Sequence, residues 1–472
     1  MDKAWESHSF FHGLGAIHHA GPLGAPQVSL RIIAAILASA EATCDLNWHK
    51  MTQTASISPD QARFASLPDS PFPRLNALLE GVTPGKPPLI LSLGEPQHPV
   101  PDFVMPVISA HAHEFGKYPP IIGTPDFRQA VAGWLGRRYH LAHVIGEGRP
   151  LDPELQILPV NGTREALFNA ALVATPLSKT GQRPAILMPN PFYQCYAAAA
   201  IAAGADPVYV PATRENRFMP DFAALPEGLL ARTAMIYFCS PANPQGVVAD
   251  LFYLTKLIEL AREHDIMLAI DECYADIYDV EPPMSALQAA IALAGSHHAD
   301  AAQSDPFANI IVFHSLSKRS SLPGLRSGFV TGDRAFMLRY RTFRNVAGPQ
   351  VPMPLLAVSA AAWRDDAHAQ ANRALYRRKF DIAERIIGNR FGFYRPSGGF
   401  FLWLDVGDGE TAARELWAKG GVKVLPGAYL ARNDSFATSG QSGNPGKAYI
   451  RVALVDSEAQ TEEALTRIAE VL

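Results

Sequence analysis

The chain has 472 residues, of which 48% are hydrophobic and 18% charged, with a formal net charge of −4. That length accommodates two or three domains. The even charge balance, without any block of like charges, excludes a nucleic-acid-binding tail. Cys44, Cys195, Cys239 and Cys273 are far apart and form no Cys-x-x-Cys pair, so neither a metal site nor a disulfide framework is expected, and a reducing cytoplasm fits best. No apolar run is long enough to suggest a membrane span.

The first sixty residues differ from the rest, holding five of the fifteen histidines and few charges. Leu30–Ala40 has the length of a signal-peptide apolar region, and Ala38-Ser39-Ala40 has the small-x-small form of a cleavage site, but the positively charged start is lacking. Residues 1–69 are therefore expected to be a leader, disordered or a non-native start, with Met51 the working start. From Ser70 short apolar runs alternate with helical patterns. Ala185–Met188, Asp206–Val210, Ala234–Phe238, Ile266–Ile270 and Asn309–Phe313 predict strands, with helices through Tyr196–Ala203 and Leu251–Glu263 between them. This alternation predicts an α/β fold, a mostly parallel sheet with crossover connections and helices on both faces. The Ala/Ser/His-rich stretch Ala289–Ala308 predicts a solvated insertion. After one long helical stretch around Leu355–Ile387, the runs Phe400–Leu404, Val422–Leu425 and Ala448–Val452, closed by a helix near Thr461–Leu472, predict a smaller α+β domain. The expected division is 70–110 as an N-terminal arm with part of the small domain, 111–350 as the large domain and 351–472 as the small C-terminal domain.

Five segments carry possible chemistry. Val160-Asn161-Gly162-Thr163-Arg164 precedes an apolar-periodic helix, where free backbone N–H groups and the helix dipole favour an anion. The same residues are equally an ordinary N-cap, with Thr163 or Asn161 capping. Pro189–Tyr196 offers aromatic rings at a strand-to-helix turn, and Tyr193 could stack on a flat cofactor or simply pack in the core. Ser240–Gly246 is a Pro/Asn/Gly turn in which Asn243 offers a side-chain amide. Asp271, ending an apolar strand, needs a cationic or hydrogen-bonding partner if buried. A protonated pyridine nitrogen is such a partner, and Tyr274 follows three positions on. Finally, Asn309–Phe313 delivers Ser315-Leu316-Ser317-Lys318, with Arg326 eight residues later. An amine held at a strand end and partly desolvated suits Schiff-base chemistry, and a hydroxyl with a guanidinium suits a phosphate.

The segments fall at strand ends, where open α/β sheets bind ligands, in the order phosphate loop, stacking ring, amide, carboxylate, lysine, arginine. This ordered set resembles the fold-type I, pyridoxal-phosphate-dependent aminotransferases of class I/II from about Ser70 to the C-terminus. The resemblance implies roles. Lys318 would join pyridoxal 5′-phosphate covalently and act as general base, and Asp271 would pair with the pyridine nitrogen. Asn243 and Tyr274 would bond the cofactor's 3-oxygen, Tyr193 would stack on the ring, and Gly162, Thr163, Arg164, Ser315 and Arg326 would hold the phosphate. Tyr118, in Gly116-Lys117-Tyr118-Pro119, is similar to the family's tyrosine that reaches a neighbouring subunit's phosphate, which implies a homodimer with composite sites. Gly94 and Arg451 match the positions that face the substrate's α-carboxylate, with Asn243 beside them.

A closer likeness is to the N-succinyl-diaminopimelate aminotransferases, carried by Ser315–Ser320, Pro323–Phe329, Asp271–Tyr278, Gly399–Val406 and Asn444–Val455. It implies ping-pong transfer between N-succinyl-LL-2,6-diaminopimelate and 2-oxoglutarate, in lysine and diaminopimelate biosynthesis. Gln245 departs from the threonine usual in Asn-Pro-Thr-Gly, and Ser321 from an expected Asn; both bear on substrate subclass. Alternatives on the same scaffold are an aspartate or aromatic aminotransferase, a C–S β-lyase, and the aminotransferase-like domain of a transcription regulator. Against the last, residues 1–60 contain no basic helix-turn-helix.

Overall fold

The apolar runs are rich in β-branched residues with turn residues at their ends, and most of them become strands. The structure is a computed structural model that describes residues 67–296, 305–433 and 443–472. The expected leader, Met51 included, falls outside the described residues except for its last three positions. In chain order the strands are β1 (Leu89–Ile90), β2 (Ile157–Val160), β3 (Ala185–Asn190), β4 (Asp206–Pro211), β5 (Thr233–Cys239) and β6 (Met267–Asp271). They continue with β7 (Ile310–Ser315), β8 (Gly328–Gly332), β9 (Phe401–Asp405), β10 (Val422–Lys423), β11 (Leu425–Pro426) and β12 (Tyr449–Ala453).

Seven strands form one sheet in the order β2-β8-β7-β6-β5-β3-β4. The run from β4 to β7 is parallel, and only β8 is antiparallel to its neighbours β7 and β2. Alternation along each strand sorts side chains to two cores. Ile236, Phe238, Leu268, Ile270, Ile310 and Val312 enter one, with the helices Pro125–Tyr139, Leu251–Glu263 and Met353–Arg364. Met235, Tyr237, Met267, Ala269, Ile311 and Phe313 enter the other, beneath the helices Thr163–Ala174, Gln194–Ala202 and Arg334–Ala347. The sheet is covered on both faces, as expected.

A second, antiparallel sheet of order β11-β12-β9 packs with the helices Ala367–Ile387 and Glu458–Val471 around Leu402, Leu404, Ile450, Val452, Phe380 and Leu465. Early residues join this part, since β1 pairs in parallel with β10.

Three local expectations change. The long helical stretch is two helices, Met353–Arg364 and Ala367–Ile387, broken where the Asp365 carboxylate accepts from the Ala367 N–H at 2.7 Å. Val422–Leu425 is not one strand but two short ones with different partners. The stretch expected to be a solvated insertion begins inside the helix Ala286–Ser296, whose Ala289, Ala290 and Leu293 are buried, and Phe307 is wholly buried. Alanine at helical spacing is apolar surface, which composition alone misread at these positions; residues 297–304 of the stretch lie outside the described residues. Among the described residues no helix is long and apolar enough to cross a membrane.

Candidate active site

Because β3, β5, β6 and β7 run parallel, their C-terminal ends open on one edge of the sheet, and the quoted segments meet there. A cavity of about 200 Å³ is lined by Gly94, Thr163, Arg164, Tyr193, Asn243, Asp271, Tyr274, Lys318 and Arg451, among others. An adjoining hollow of about 460 Å³ shares several of these and adds Ser315 and Arg326. Gly162 stands beside it, against the Arg326 guanidinium. Twelve of the thirteen expected residues therefore come together in one chain. Tyr118 does not: it is 98% exposed and lines a separate hollow with Phe115, Gln350 and Met353.

β7 ends at Ser315, whose hydroxyl oxygen accepts from the Ser317 N–H at 3.1 Å and starts the short helix Leu316–Arg319. That turn presents Lys318, whose Nζ donates to the Gly94 carbonyl at 2.5 Å. Burial pulls its pKa down to about 8, and the charges of Arg451 and Arg326 act in the same direction. About a tenth of the amine is then neutral at pH 7, far more than for an exposed lysine.

Asp271 ends β6, 6% exposed, with its pKa raised by burial. Its Oδ2 accepts from the Tyr196 hydroxyl at 2.8 Å and its Oδ1 from the Cys273 N–H at 3.2 Å. No cation pairs with it among the described residues. Tyr196 in turn stacks on Tyr237, with centroids 4.5 Å apart.

Arg451, on β12, is 5% exposed, and burial lowers its pKa to about 10. Its Nη1 donates to Asn243 Oδ1 at 3.1 Å and its Nη2 to the Ser92 carbonyl at 2.8 Å; its Nε is buried without a partner. All its acceptors are neutral, and among the described residues it has no ion pair. Its guanidinium lies 4.4 Å from the Phe401 ring centroid. A Cβ on Gly94 would stand 2.7 Å from Phe401 Cζ, so glycine is what lets that backbone lie close to the ring.

The helix Thr163–Ala174 begins at Gly162, which has φ +77° and provides no side-chain cap; neither Thr163 nor Asn161 caps it. Thr163 Oγ1 instead contacts Cys273 Sγ at 3.0 Å. The uncapped N–H groups leave the helix start open to an anion, and Arg326 stands near, its own hydrogen bonds among the described residues going only to the Pro323 and Asn161 carbonyls. Arg164 Nε donates to the Tyr193 hydroxyl at 2.5 Å.

This set fits pyridoxal phosphate. The uncapped helix start with Arg326 suits a phosphate, the buried Asp271 carboxylate suits a protonated ring nitrogen, and Tyr193, which lines both hollows, suits a flat ring. Arg451, with its orphaned Nε, suits a carboxylate. Sequence reasoning missed Tyr196, although it lies three residues past Tyr193 and one helical turn on. It also missed Phe72 and Leu430 of the cavity wall, which arrive from segments with no local signal, and gave no role to Phe401, although its strand was predicted.

The family profile for aminotransferases of class I and II matches residues 86–468. An LL-diaminopimelate aminotransferase of Dehalococcoides mccartyi is 28% identical over 417 residues, 86% of this chain and 97% of that one. The 4-dedimethylamino-4-oxo-anhydrotetracycline transaminase OxyQ of Streptomyces rimosus is 31% identical over 380 residues, covering 80% and 92%. Among solved structures, an aminotransferase from Neisseria meningitidis Z2491 superposes with a TM-score of 0.78 at 37% identity, covering 86% of this chain and 98% of that one. A probable N-succinyldiaminopimelate aminotransferase from Thermus thermophilus shares the fold, with a TM-score of 0.69 at 23% identity and coverage of 85% and 100%. The chain belongs to the class I and II aminotransferases, the enzymes that work with pyridoxal 5′-phosphate.

Proposed function

We propose that this aminotransferase exchanges an amino group between N-succinyl-LL-2,6-diaminopimelate and 2-oxoglutarate, in the formation of diaminopimelate and lysine. The observation that carries amino-acid binding is Arg451. A nearly inaccessible guanidinium whose acceptors are all neutral is unfavourable unless an anion completes it, and it opens on the cavity that holds Lys318 and Asp271. An α-carboxylate supplies that anion bidentately. The likeness of the segments around Lys318, Asp271 and Arg451 supports the succinylated donor. A second reading, unacylated LL-diaminopimelate, is favoured by the name of the Dehalococcoides relative.

The roles follow from position. Gly162, Thr163, Arg164, Ser315 and Arg326 would hold the cofactor phosphate, Asp271 the ring nitrogen, Asn243 and Tyr274 the 3-oxygen, and Tyr193 the ring face. Pyridoxal phosphate, when bound, supplies the electron sink that stabilises negative charge at the substrate's α-carbon. Lys318 Nζ, neutral when needed, takes the α-proton as general base. Arg451 and the Gly94 backbone hold the α-carboxylate, so that the α-hydrogen stays within reach of that amine. Asn243 serves both ligands, its oxygen committed to Arg451 and its NH2 left to donate. Tyr118, exposed in one chain, is assigned to the phosphate of a second copy in a homodimer.

An amino-donor screen with 2-oxoglutarate, read by glutamate formation, tests the proposal. Turnover is expected with N-succinyl-LL-diaminopimelate. Turnover with LL-diaminopimelate alone selects the second reading, and good activity only with aromatic or aspartate donors overturns both.

A further inference from the structure

The backbone of the Lys318 turn is held by side chains that play no part in the chemistry above. Asn372, on the helix Ala367–Ile387, donates its amide to the carbonyls of Lys318 and Arg319, both at 3.0 Å. Both hydrogens of that amide are committed, so its Oδ1 faces the other way, where His98 Nδ1 lies at 2.6 Å. An amide oxygen only accepts, so His98 carries its proton on Nδ1. Its Nε2 is then a bare lone pair, to which Lys379 Nζ donates at 2.7 Å while also donating to the Leu454 carbonyl at 3.0 Å. Burial and then the Lys379 charge push His98 down to about 4, in keeping with a neutral, accepting ring. Lys379 is 1% exposed and has no ion pair among the described residues, although Asp456 and Glu458 act on it electrostatically. A lysine buried on these terms is costly to the fold.

What the chain joins gives it a purpose. Its middle member, His98, follows the loop whose Gly94 carbonyl accepts from Lys318, and Ser321, just past the lysine turn, donates to the His98 carbonyl at 3.0 Å. Its last acceptor, Leu454, lies three residues beyond Arg451. We propose that Asn372, His98 and Lys379 are positioning residues, one hydrogen-bond chain that fixes the Lys318 turn relative to the Gly94 loop and the Arg451 strand. The proposal rests on Lys318 being the lysine that binds the cofactor. A base must sit within a few tenths of an ångström of its place to act, so slack in this chain lowers turnover rather than binding.

The test compares the holoenzyme with four variants. Asn372→Ala removes both donors to the lysine turn. Glutamine mimics His98 Nε2 and loses the bond to Asn372, whereas asparagine mimics Nδ1 and keeps it. Lys379→Met removes the last donor only. In Asn372→Ala and His98→Gln, kcat per bound cofactor is expected to fall about tenfold or more, with a smaller change in KM. The pH at which the bound cofactor's visible absorption changes is expected to move by about half a unit or more. His98→Asn recovers most of both, and Lys379→Met loses less than His98→Gln. Unchanged kcat and an unchanged absorption titration in the first two overturn the proposal, as does a loss explained wholly by less folded or less cofactor-loaded protein. If Asn372→Ala does not fold, the His98 pair decides alone. Borohydride reduction of wild type with peptide mapping separates the two claims: cofactor trapped elsewhere than Lys318 defeats the functional reading, whatever the variants do.

Discussion

Lys318 combines two properties that work against each other. A cation is out of place in its half-desolvated position, and that is what makes the amine reactive. Its pKa is about 8 in the fold, against about 10.4 for an exposed lysine. Below pH 8 both folded and unfolded states carry the charge, and the fold bears the full penalty. Between about 8 and 10.4 the unfolded chain binds more protons, so stability rises with pH, and above that window the penalty is gone. Lys318→Met should therefore stabilise the cofactor-free protein at neutral pH by on the order of 3 kcal/mol and raise its thermal midpoint. The advantage should shrink as pH rises through the window, and the variant should have no turnover. Thermal melts at a series of pH values check this; a variant no more stable than wild type at pH 7 contradicts the electrostatic account of the site. Asp271 depends on its neighbour in a comparable way. Asp271→Asn should lower kcat by roughly 10²–10³-fold. Tyr196→Phe, which removes only the 2.8 Å hydroxyl donor to that carboxylate, should lower it about tenfold. Wild-type kcat in Tyr196→Phe would show that the hydroxyl does not orient Asp271.

At the scale of elements, local signals marked most strands and helices, though not the buried alanine helix Ala286–Ser296 or the split of Val422–Leu425. The predicted helix Leu251–Glu263 agrees with the structure to the residue, where Asp250 caps it, its carboxylate accepting from the Tyr253 N–H. The parallel strands were legible as apolar runs buried on both faces. Two strands of the seven-stranded sheet were not legible. β2 contains Pro159, which argues against a central strand, yet β2 lies at the sheet edge, where a missing N–H is tolerated. β8 is bounded by Gly328 and Gly332, which look like turn residues. They are glycines because a Cβ at either would strike the β7 backbone, at His314 and Ile310. Gly162 is the analogous case in the site. With φ +77° and a Cβ position already filled by Arg326, Gly162→Ala combines backbone strain of about 1–3 kcal/mol with displacement of the cation proposed to hold the phosphate. Cofactor affinity should fall about 10- to 100-fold, read by absorption on titrating the apoenzyme. Gly148, at φ +70° with open space around its Cβ position, is the control: Gly148→Ala bears similar backbone strain and should leave affinity unchanged. Equal losses in the two would mean that general destabilisation, not the crowding at Arg326, is responsible.

At the scale of the whole molecule, the site was legible where its parts share the sheet edge and hidden where they come from elsewhere. Asp271, Lys318 and Asn243 follow strands that any parallel sheet brings together. Gly94 and Arg451 lie more than three hundred residues apart in the chain, and the family likeness alone placed them side by side. His98, Asn372 and Lys379 carried no signal, because each is ordinary in its own segment. Tyr118 cannot be accounted for within one chain: its ring is almost wholly exposed and lines no wall of the cavity. If two copies exchange this residue, the arithmetic of mixed dimers tests it. Tyr118→Ala should weaken cofactor binding in both sites of its homodimer, and Lys318→Ala should silence both sites of its own. In a hybrid of the two, one site combines both lesions. The other pairs the intact Lys318 of the first chain with the intact Tyr118 of the second, and so is whole. Random reassociation of equal amounts makes about half the dimers hybrids, each with one working site, so the mixture should regain about a quarter of wild-type activity. Activity no greater than the sum of the two parents, with exchange of chains verified by tagged copies, would mean that each chain completes its own site. Tyr118 would then be an exposed surface tyrosine with no part in the reaction.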